Sequence, residues 1–137
     1  ARIDTIQACV INEKIKIIKK EIRRRSQILN IYFKELSNIK EILFLKENSY
    51  CKSNGSSAVI LVKNKNKFQK YLKQCGVETS NLYNYTISQQ PTFKKFKRGK
   101  LKNAKRISEE NVCLPINPYI TNKEINYVIR CVKKFFE

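Results

Sequence analysis

The sequence predicts an α/β fold, with one long N-terminal helix followed by a small sheet of about three strands on which helices pack. Three observations predict it: apolar residues recur every three or four positions through residue 36, residues 58–62 form a short β-branched run, and a capping box opens an amphipathic helix at Thr121. A chain of 137 residues can bury one core. We therefore predict a single domain over 1–137, with a long helix at 1–38, a connector at 39–57 and a small α/β sandwich at 58–137.

The long helix is predicted from one apolar stripe whose spacings alternate between four and three residues. Its members are Ile11, Ile15, Ile18, Ile22, Leu29, Tyr32 and Leu36, extended upstream by Ile3, Ile6 and Val10. Arg25 takes the one polar position of the register, and Asp4 falls in the first turn, where the helix dipole favours a carboxylate. Such a stripe also suits a coiled coil, but the flanking positions are mostly Lys and Arg. Packing against the rest of the domain is the favoured interpretation.

The remaining elements follow in order. Residues 38–57 are polar and end in a turn-rich stretch, and 58–62 is predicted to be a buried strand. Asn64 is the predicted cap of a helix that carries Phe68 and Leu72 and stops at Gly76. Further strands are predicted at 77–83 and 112–116, separated by a loop at 84–100. The last helix begins after Thr121, and its apolar face comprises Ile125, Val128, Ile129, Val132 and Phe136.

Composition excludes several classes of chemistry. Histidine is absent, which removes Ser-His and Cys-His pairs and imidazole metal sites. The five cysteines include no CxxC pair, so we interpret them as small apolar side chains in a reducing compartment rather than as a metal or redox site. No apolar run approaches the roughly 18–20 residues that span a bilayer, and no secretion signal is recognisable. We expect a soluble, cytoplasmic protein with no membrane partner.

The formal charge of +18 raises the possibility of a nucleic-acid partner. Eight of the thirteen residues in 94–106 are basic, and Phe93 and Phe96 lie beside them. A phosphate-binding groove with stacking rings, for nucleic acid or an acidic surface, is one interpretation of this cluster. A solvated loop followed by a short basic helix is the other.

Three stretches together resemble one family. The first is residues 1–8 followed by Arg25, Tyr32 and Leu36. The second is Gly-Val-Glu-Thr at 76–79 with Tyr83 and Gln-Pro-Thr-Phe at 90–93, and the third is Leu-Pro-Ile-Asn-Pro-Tyr-Ile-Thr at 114–121 with Val128. Their order and spacing resemble the C-terminal part of the DegT/DnrJ/StrS-type aminotransferases, which act on nucleotide-linked keto sugars.

The resemblance implies the C-terminal small domain of the type I pyridoxal-phosphate-dependent transferase fold, in a homodimeric enzyme of amino-sugar and surface polysaccharide biosynthesis. Its partners would be a nucleotide sugar and an amino donor. Family members use pyridoxal phosphate as an electron sink, held by a Lys of the N-terminal large domain. The chain opens at Ala1 without a Met, as though that domain had been cut away. We therefore expect no catalytic, cofactor-binding or metal-binding residue within it, no cofactor bound to this chain alone, and no activity alone.

By the same resemblance, Arg2 and Tyr83 are the candidate substrate-binding residues. Arg2 matches an Arg near the family's active site, where a cation can face the anionic cofactor or the nucleotide sugar, and Tyr83 matches a substrate-site Tyr. The alternatives are a solvent-exposed Arg at a helix start and a half-buried strand Tyr. The sequence departs from the family pattern, in which His, Pro, His and His stand at the positions of Leu82, Asn84, Ser88 and Asn117. These departures imply altered substrate recognition.

Overall fold

The computed structural model describes residues 2–45, 48, 50–51, 53–96, 99 and 101–137. Its helices and strands, in chain order, are α1 (Thr5–Leu36), β1 (Ile42–Phe44), β2 (Ala58–Val62), α2 (Lys65–Gln74), α3 (Lys102–Glu110), β3 (Asn111–Leu114) and α4 (Asn122–Phe136). Two 3-10 turns, Ile87–Gln89 and Pro91–Phe96, lie between α2 and α3. The predicted mixture of one long helix and a small three-stranded sheet with helices is confirmed.

The sheet is antiparallel, in the order β1-β2-β3. On the central strand, Ile60 lies opposite Phe44 of β1 and Val112 of β3. Because side chains alternate along a strand, Ile60 and Val62 enter the main core, whereas Leu61 is buried on the opposite face. The main core also contains the last turns of α1 and the apolar faces of α2 and α4.

One of the three strands lies in a different segment from the one that the sequence predicted. The prediction of a strand at 77–83 is wrong: Ser80 alone pairs with the sheet, through an isolated bridge to Cys113. Strand β1 instead lies inside 39–57, the segment predicted as a connector. The strand predicted at 112–116 runs from Asn111 to Leu114, and Pro115, which has no N–H to donate, follows it.

The ends of α2 and α4 follow the predicted signals, except at the Asn64 side chain. Gly76, at φ 72°, ends α2 with its own N–H on the Lys73 carbonyl at 3.0 Å and the Val77 N–H on the Leu72 carbonyl at 2.9 Å. Asn64 occupies the N-cap position of α2 as predicted, but its side chain makes no capping hydrogen bond, so the prediction is wrong in that respect. The capping box of α4 is confirmed, since Thr121 Oγ1 accepts the Glu124 N–H at 3.2 Å and Glu124 Oε2 accepts the Thr121 N–H at 2.8 Å.

Helix α1 divides into a buried and an exposed half. Ile28, Tyr32 and Leu36 are completely buried. The large apolar side chains of the first half, together with Ile3 just before the helix, are between 36% and 75% exposed, and we call them the exposed stripe: Ile3, Ile6, Val10, Ile11, Ile15, Ile17 and Ile18. The prediction that the whole apolar face packs against the rest of the domain is therefore wrong for this half. Asp4 was predicted in the first turn but lies one residue before the helix as its N-cap, where it accepts the Ile6 N–H at 2.8 Å.

Within the parts of the chain that the structure describes, no helix combines the length and apolar character needed to cross a bilayer.

Candidate functional site

Arg2 lies at the free end of α1. Its side chain is exposed, and it makes no ion pair or hydrogen bond with any described residue. The hydrogen bonds of α1 to other elements begin only at Glu21, whose carboxylate accepts the Tyr119 hydroxyl at 2.7 Å. At 1.5 Å per residue, the N-terminus of the helix therefore lies roughly 24 Å from that first junction. This placement fits the alternative of a solvent-exposed Arg at a helix start and leaves a free cation for a ligand.

Tyr83 lies in the irregular segment between α2 and the 3-10 turns. Its side chain is 76% exposed, and its hydroxyl has no hydrogen-bond partner among the described residues. It is neither in a strand nor half-buried, so the alternative of a half-buried strand Tyr is wrong. No hydrogen bond joins Arg2 to Tyr83 in the described chain, and their assignment to one substrate site stays a prediction.

A buried amide that the sequence analysis missed holds the backbone at Tyr83. Asn111 is 1% exposed; its Nδ2 lies 3.1 Å from the Tyr83 carbonyl oxygen, and its Oδ1 accepts the Leu82 N–H at 2.9 Å. The same Nδ2 contacts the carbonyl oxygens of Ile107 at 2.8 Å and Ser108 at 3.1 Å, in the last turn of α3. A polar residue at the start of a predicted strand is no signal of such a role, because the backbone groups of Leu82 and Tyr83 that it contacts lie 29 and 28 positions away in sequence.

Polar contacts join α1 to the segment before α4. Arg24 donates to the Ile120 carbonyl oxygen and to Asn122 Oδ1, both at 2.9 Å. The hydrogen bond from Tyr119 lowers the pKa of the Glu21 carboxyl, and the charges of Lys14 and Arg25 lower it further. The closing motif of the resemblance, at 114–121, is therefore held against the middle of α1.

Part of the basic cluster at 94–106 lies outside the described residues, namely Lys97, Arg98 and Lys100. Within the described part, Lys105 lies 3.7 Å from Glu109, and Arg106 Nε lies 3.0 Å from Glu110. Helix α3 thus carries acidic partners for two of its cations, as the alternative of a short basic helix requires. Binding of nucleic acid or an acidic surface stays a prediction.

The cysteines are all free thiols, in varied settings. Cys113 and Cys131 are buried, and burial raises the pKa of the Cys113 thiol. Cys9 and Cys51 are exposed, and Cys75 is half-buried. The described residues contain no cluster of three or more metal-ligating side chains.

Comparison with known proteins identifies the family. A sequence model of the DegT/DnrJ/EryC1/StrS aminotransferase family matches residues 1–133. The chain is 24% identical over 136 residues to a dTDP-3-amino-3,6-dideoxy-alpha-D-galactopyranose transaminase of Aneurinibacillus thermoaerophilus, covering 98% of this chain and 37% of that protein. It is 25% identical over 129 residues to a UDP-2-acetamido-2-deoxy-3-oxo-D-glucuronate aminotransferase of Pseudomonas aeruginosa, covering 93% and 35%.

The fold agrees with that of a solved structure. The structure superposes on S. venezuelae DesV, solved in complex with a ketimine intermediate, with a TM-score of 0.93 at 18% identity, covering 99% of this chain and 37% of that one. The chain thus spans little more than a third of the length of the proteins that it matches. Because the family match covers nearly all of its residues, the chain belongs to the DegT/DnrJ/EryC1/StrS aminotransferase family.

Proposed function

We propose that this chain is the C-terminal portion of a pyridoxal-phosphate-dependent aminotransferase that acts on a nucleotide-linked keto sugar, and that it is inactive alone. The observation that carries the proposal is the pairing of a family match over 1–133 with coverage of only 37% of a dTDP-sugar transaminase. The relative named for a UDP-linked substrate supports the same substrate class. The amino donor and a homodimer belong to the same proposal.

The described lysines do not fit the residue that holds the cofactor. A Lys that forms an imine needs a desolvated setting in which its neutral amine is accessible. No described Lys side chain is buried, and the two half-buried ones are engaged: Lys65 Nζ donates to the Ser108 carbonyl at 3.1 Å, and Lys133 Nζ to Glu35 at 2.8 Å. The imine-forming Lys is therefore proposed to lie in the remainder of the protein.

The exposed stripe of α1 supports a missing partner domain. It presents six large apolar side chains along the first half of the helix and a seventh, Ile3, just before it. Complete burial of a large aliphatic side chain contributes about 1.5–3 kcal/mol, so leaving the whole stripe in water forgoes a large stabilisation. We propose that the remainder of the enzyme covers it, which would also place Arg2 beside that part of the protein.

Within the whole enzyme, Arg2 and Tyr83 are proposed to contact the nucleotide sugar. Arg2 offers a free guanidinium suited to a diphosphate, and Tyr83 offers an unpartnered hydroxyl suited to a sugar or base. Neither group makes a hydrogen bond or an ion pair with a described residue, so both are available to a ligand.

A borohydride-trapping experiment tests the proposal. The native protein that contains this chain is purified, reduced with borohydride and mapped by mass spectrometry, with recombinant 1–137 as the matched control. We expect one phosphopyridoxyl-lysine, outside residues 1–137, and amine transfer from glutamate to a dTDP- or UDP-linked keto sugar. A saturable single-site adduct within recombinant 1–137, or a native protein without any adduct, would overturn it.

A further inference from the structure

Asn111 is a buried polar side chain at a junction of three segments. It follows the last residue of α3, begins β3, and contacts the irregular segment that carries Tyr83. Burying an amide costs free energy unless its donor and acceptor are both satisfied. Here both are, and by backbone groups: two carbonyl oxygens of α3, one carbonyl oxygen of the Tyr83 segment, and one N–H of the same segment.

The contacts on the Tyr83 segment form a clamp. Asn111 Oδ1 accepts the N–H of Leu82, and Nδ2 lies against the carbonyl oxygen of Tyr83. The two groups belong to consecutive residues, so one amide fixes the backbone on both sides of the peptide that joins them. The amide suits this role because it carries a donor and an acceptor on one planar group.

The other contacts of this segment lie mostly before Leu82, and one of them is the hydrogen bond that Gln69 Nε2 of α2 donates to Thr79 Oγ1 at 3.0 Å. Upstream, the isolated bridge between Ser80 and Cys113 is its link to the sheet, with N···O distances of 3.3 and 2.8 Å. The Asn81 amide adds a contact when its oxygen and nitrogen are exchanged, donating to the Asn111 carbonyl at 3.0 Å. The Tyr83 ring is largely exposed, so its location depends on its backbone rather than on packing of the side chain.

We infer that Asn111 is a positioning residue, which clamps the backbone of Leu82 and Tyr83 to the last turn of α3 and so fixes where the Tyr83 phenol is presented to a nucleotide-linked sugar. The part of this inference that concerns the sugar rests on the proposed function; the clamp itself does not. Asn111 would thus affect substrate affinity without touching the substrate.

Amide hydrogen exchange of recombinant 1–137 tests the clamp. Asn111→Leu keeps a similar volume and removes both hydrogen-bonding groups, and we expect exchange at Leu82 to accelerate at least tenfold relative to Ile60 of β2. Ser108→Ala is the matched control, because Ser108 is also buried and its hydroxyl bonds to the Lys105 carbonyl of α3 at 2.8 Å, away from the Tyr83 segment. Equal acceleration at Leu82 and Ile60 in Asn111→Leu would overturn the clamp.

Asn111→Asp supplies a pH readout that a purely structural role would not give. An ionised carboxylate can still accept the Leu82 N–H, but its second oxygen would face the three carbonyl oxygens that Nδ2 now contacts. Protonation restores a donor there. We therefore expect Leu82 protection in this variant to increase as the pH falls through the carboxyl pKa, while wild type and Ser108→Ala show no such step; protection independent of pH in Asn111→Asp contradicts the clamp.

Kinetics of the native, full-length enzyme test the substrate part. We expect Asn111→Leu to raise KM for the nucleotide sugar about tenfold and to leave the half-reaction with the amino donor unchanged, with no effect of Ser108→Ala. An unchanged KM alongside a lost clamp would refute the positioning of Tyr83 for substrate. A wild-type protein without aminotransferase activity would instead refute the proposed function, and the exchange experiments would still decide whether Asn111 is a clamp.

Discussion

The two halves of α1 carry the same apolar periodicity but lie in opposite environments, one buried and one exposed. In the second half the stripe is buried completely at Ile28, Tyr32 and Leu36, whereas Ile6 and Ile15 of the first half are 75% and 61% exposed. Periodicity therefore indicates that a helix has an apolar face but does not indicate what covers it. In this chain the sheet and α4 cover one half, and the other half is available to a partner.

The change between the halves coincides with polar contacts to the segment before α4. Glu21 accepts from Tyr119, and Arg24 donates to the Ile120 carbonyl oxygen. Further along, the Tyr32 hydroxyl donates to the Pro115 carbonyl oxygen at 2.8 Å. These contacts begin where the helix first meets the domain, so residues before Glu21 have no such support.

Substituting one isoleucine in each half of α1 should give the largest difference between the halves in the free energy of unfolding. Ile28→Ala removes a completely buried side chain, and we expect it to lower the free energy of unfolding of recombinant 1–137 by about 2–5 kcal/mol. Ile15→Ala removes a side chain that is 61% exposed and should change it by no more than about 0.5 kcal/mol. Urea denaturation followed by circular dichroism measures both.

The same pair tests whether the stripe has a partner. In the native, full-length protein Ile15→Ala should become strongly destabilising, since the remainder of the enzyme is proposed to bury that position. If Ile15→Ala were as costly as Ile28→Ala already in recombinant 1–137, self-association through the exposed stripe would be the explanation. Light scattering of the wild-type chain distinguishes that case.

Tyr32 gives the next largest effect and a pH dependence. Tyr32→Phe leaves the Pro115 carbonyl oxygen without its donor, and we expect a loss of about 1–3 kcal/mol in the free energy of unfolding. Burial raises the pKa of Tyr32. The unfolded state therefore loses this proton first, and the stability that Tyr32 contributes is complete below pH about 10 and declines as the pH rises further.

The difference between wild type and Tyr32→Phe isolates this contribution, because the other tyrosines are common to both proteins. We expect the difference in free energy of unfolding to shrink steadily above pH about 10. A constant difference between pH 8 and 11 would mean that Tyr32 ionises as readily in the folded chain as in the unfolded one. Urea denaturation at each pH supplies the measurement.

The sequence predicted correctly those elements whose signals lie within the element itself or a few residues from it. Strand β2 and the capping box of α4 appear where the pattern placed them, and Gly76 ends α2, since β-branched runs, caps and positive φ angles act within a few residues. Strand β1 was missed because Ile42–Phe44 is too short to show alternation. The segment at 77–83 has apolar residues but pairs with β3 at one position only.

The candidate site was less accessible to sequence reasoning. Arg2 and Tyr83 came from the family resemblance, and nothing in their local pattern fixes what surrounds them. Asn111 was missed because its role depends on the carbonyl of Tyr83, 28 positions away, which no period or spacing encodes. Positions of this kind become visible only when the fold brings distant backbone groups together.

Substituting the N-cap residues of α1 and α4 should give the smallest effect, and it compares the same two environments. Thr121 caps α4, whose apolar face lies in the core, so Thr121→Ala should lower the free energy of unfolding by about 1 kcal/mol. Asp4 caps α1 with a similar hydrogen bond of 2.8 Å, but Ile6 and Val10 in the turns that it stabilises are 75% and 56% exposed. Asp4→Ala should therefore fray the first turns, seen as faster amide exchange between residues 6 and 10, with the urea midpoint unchanged. An equal loss of global stability in both variants would show that the exposed half of α1 unfolds together with the core, and would remove the distinction between the two halves.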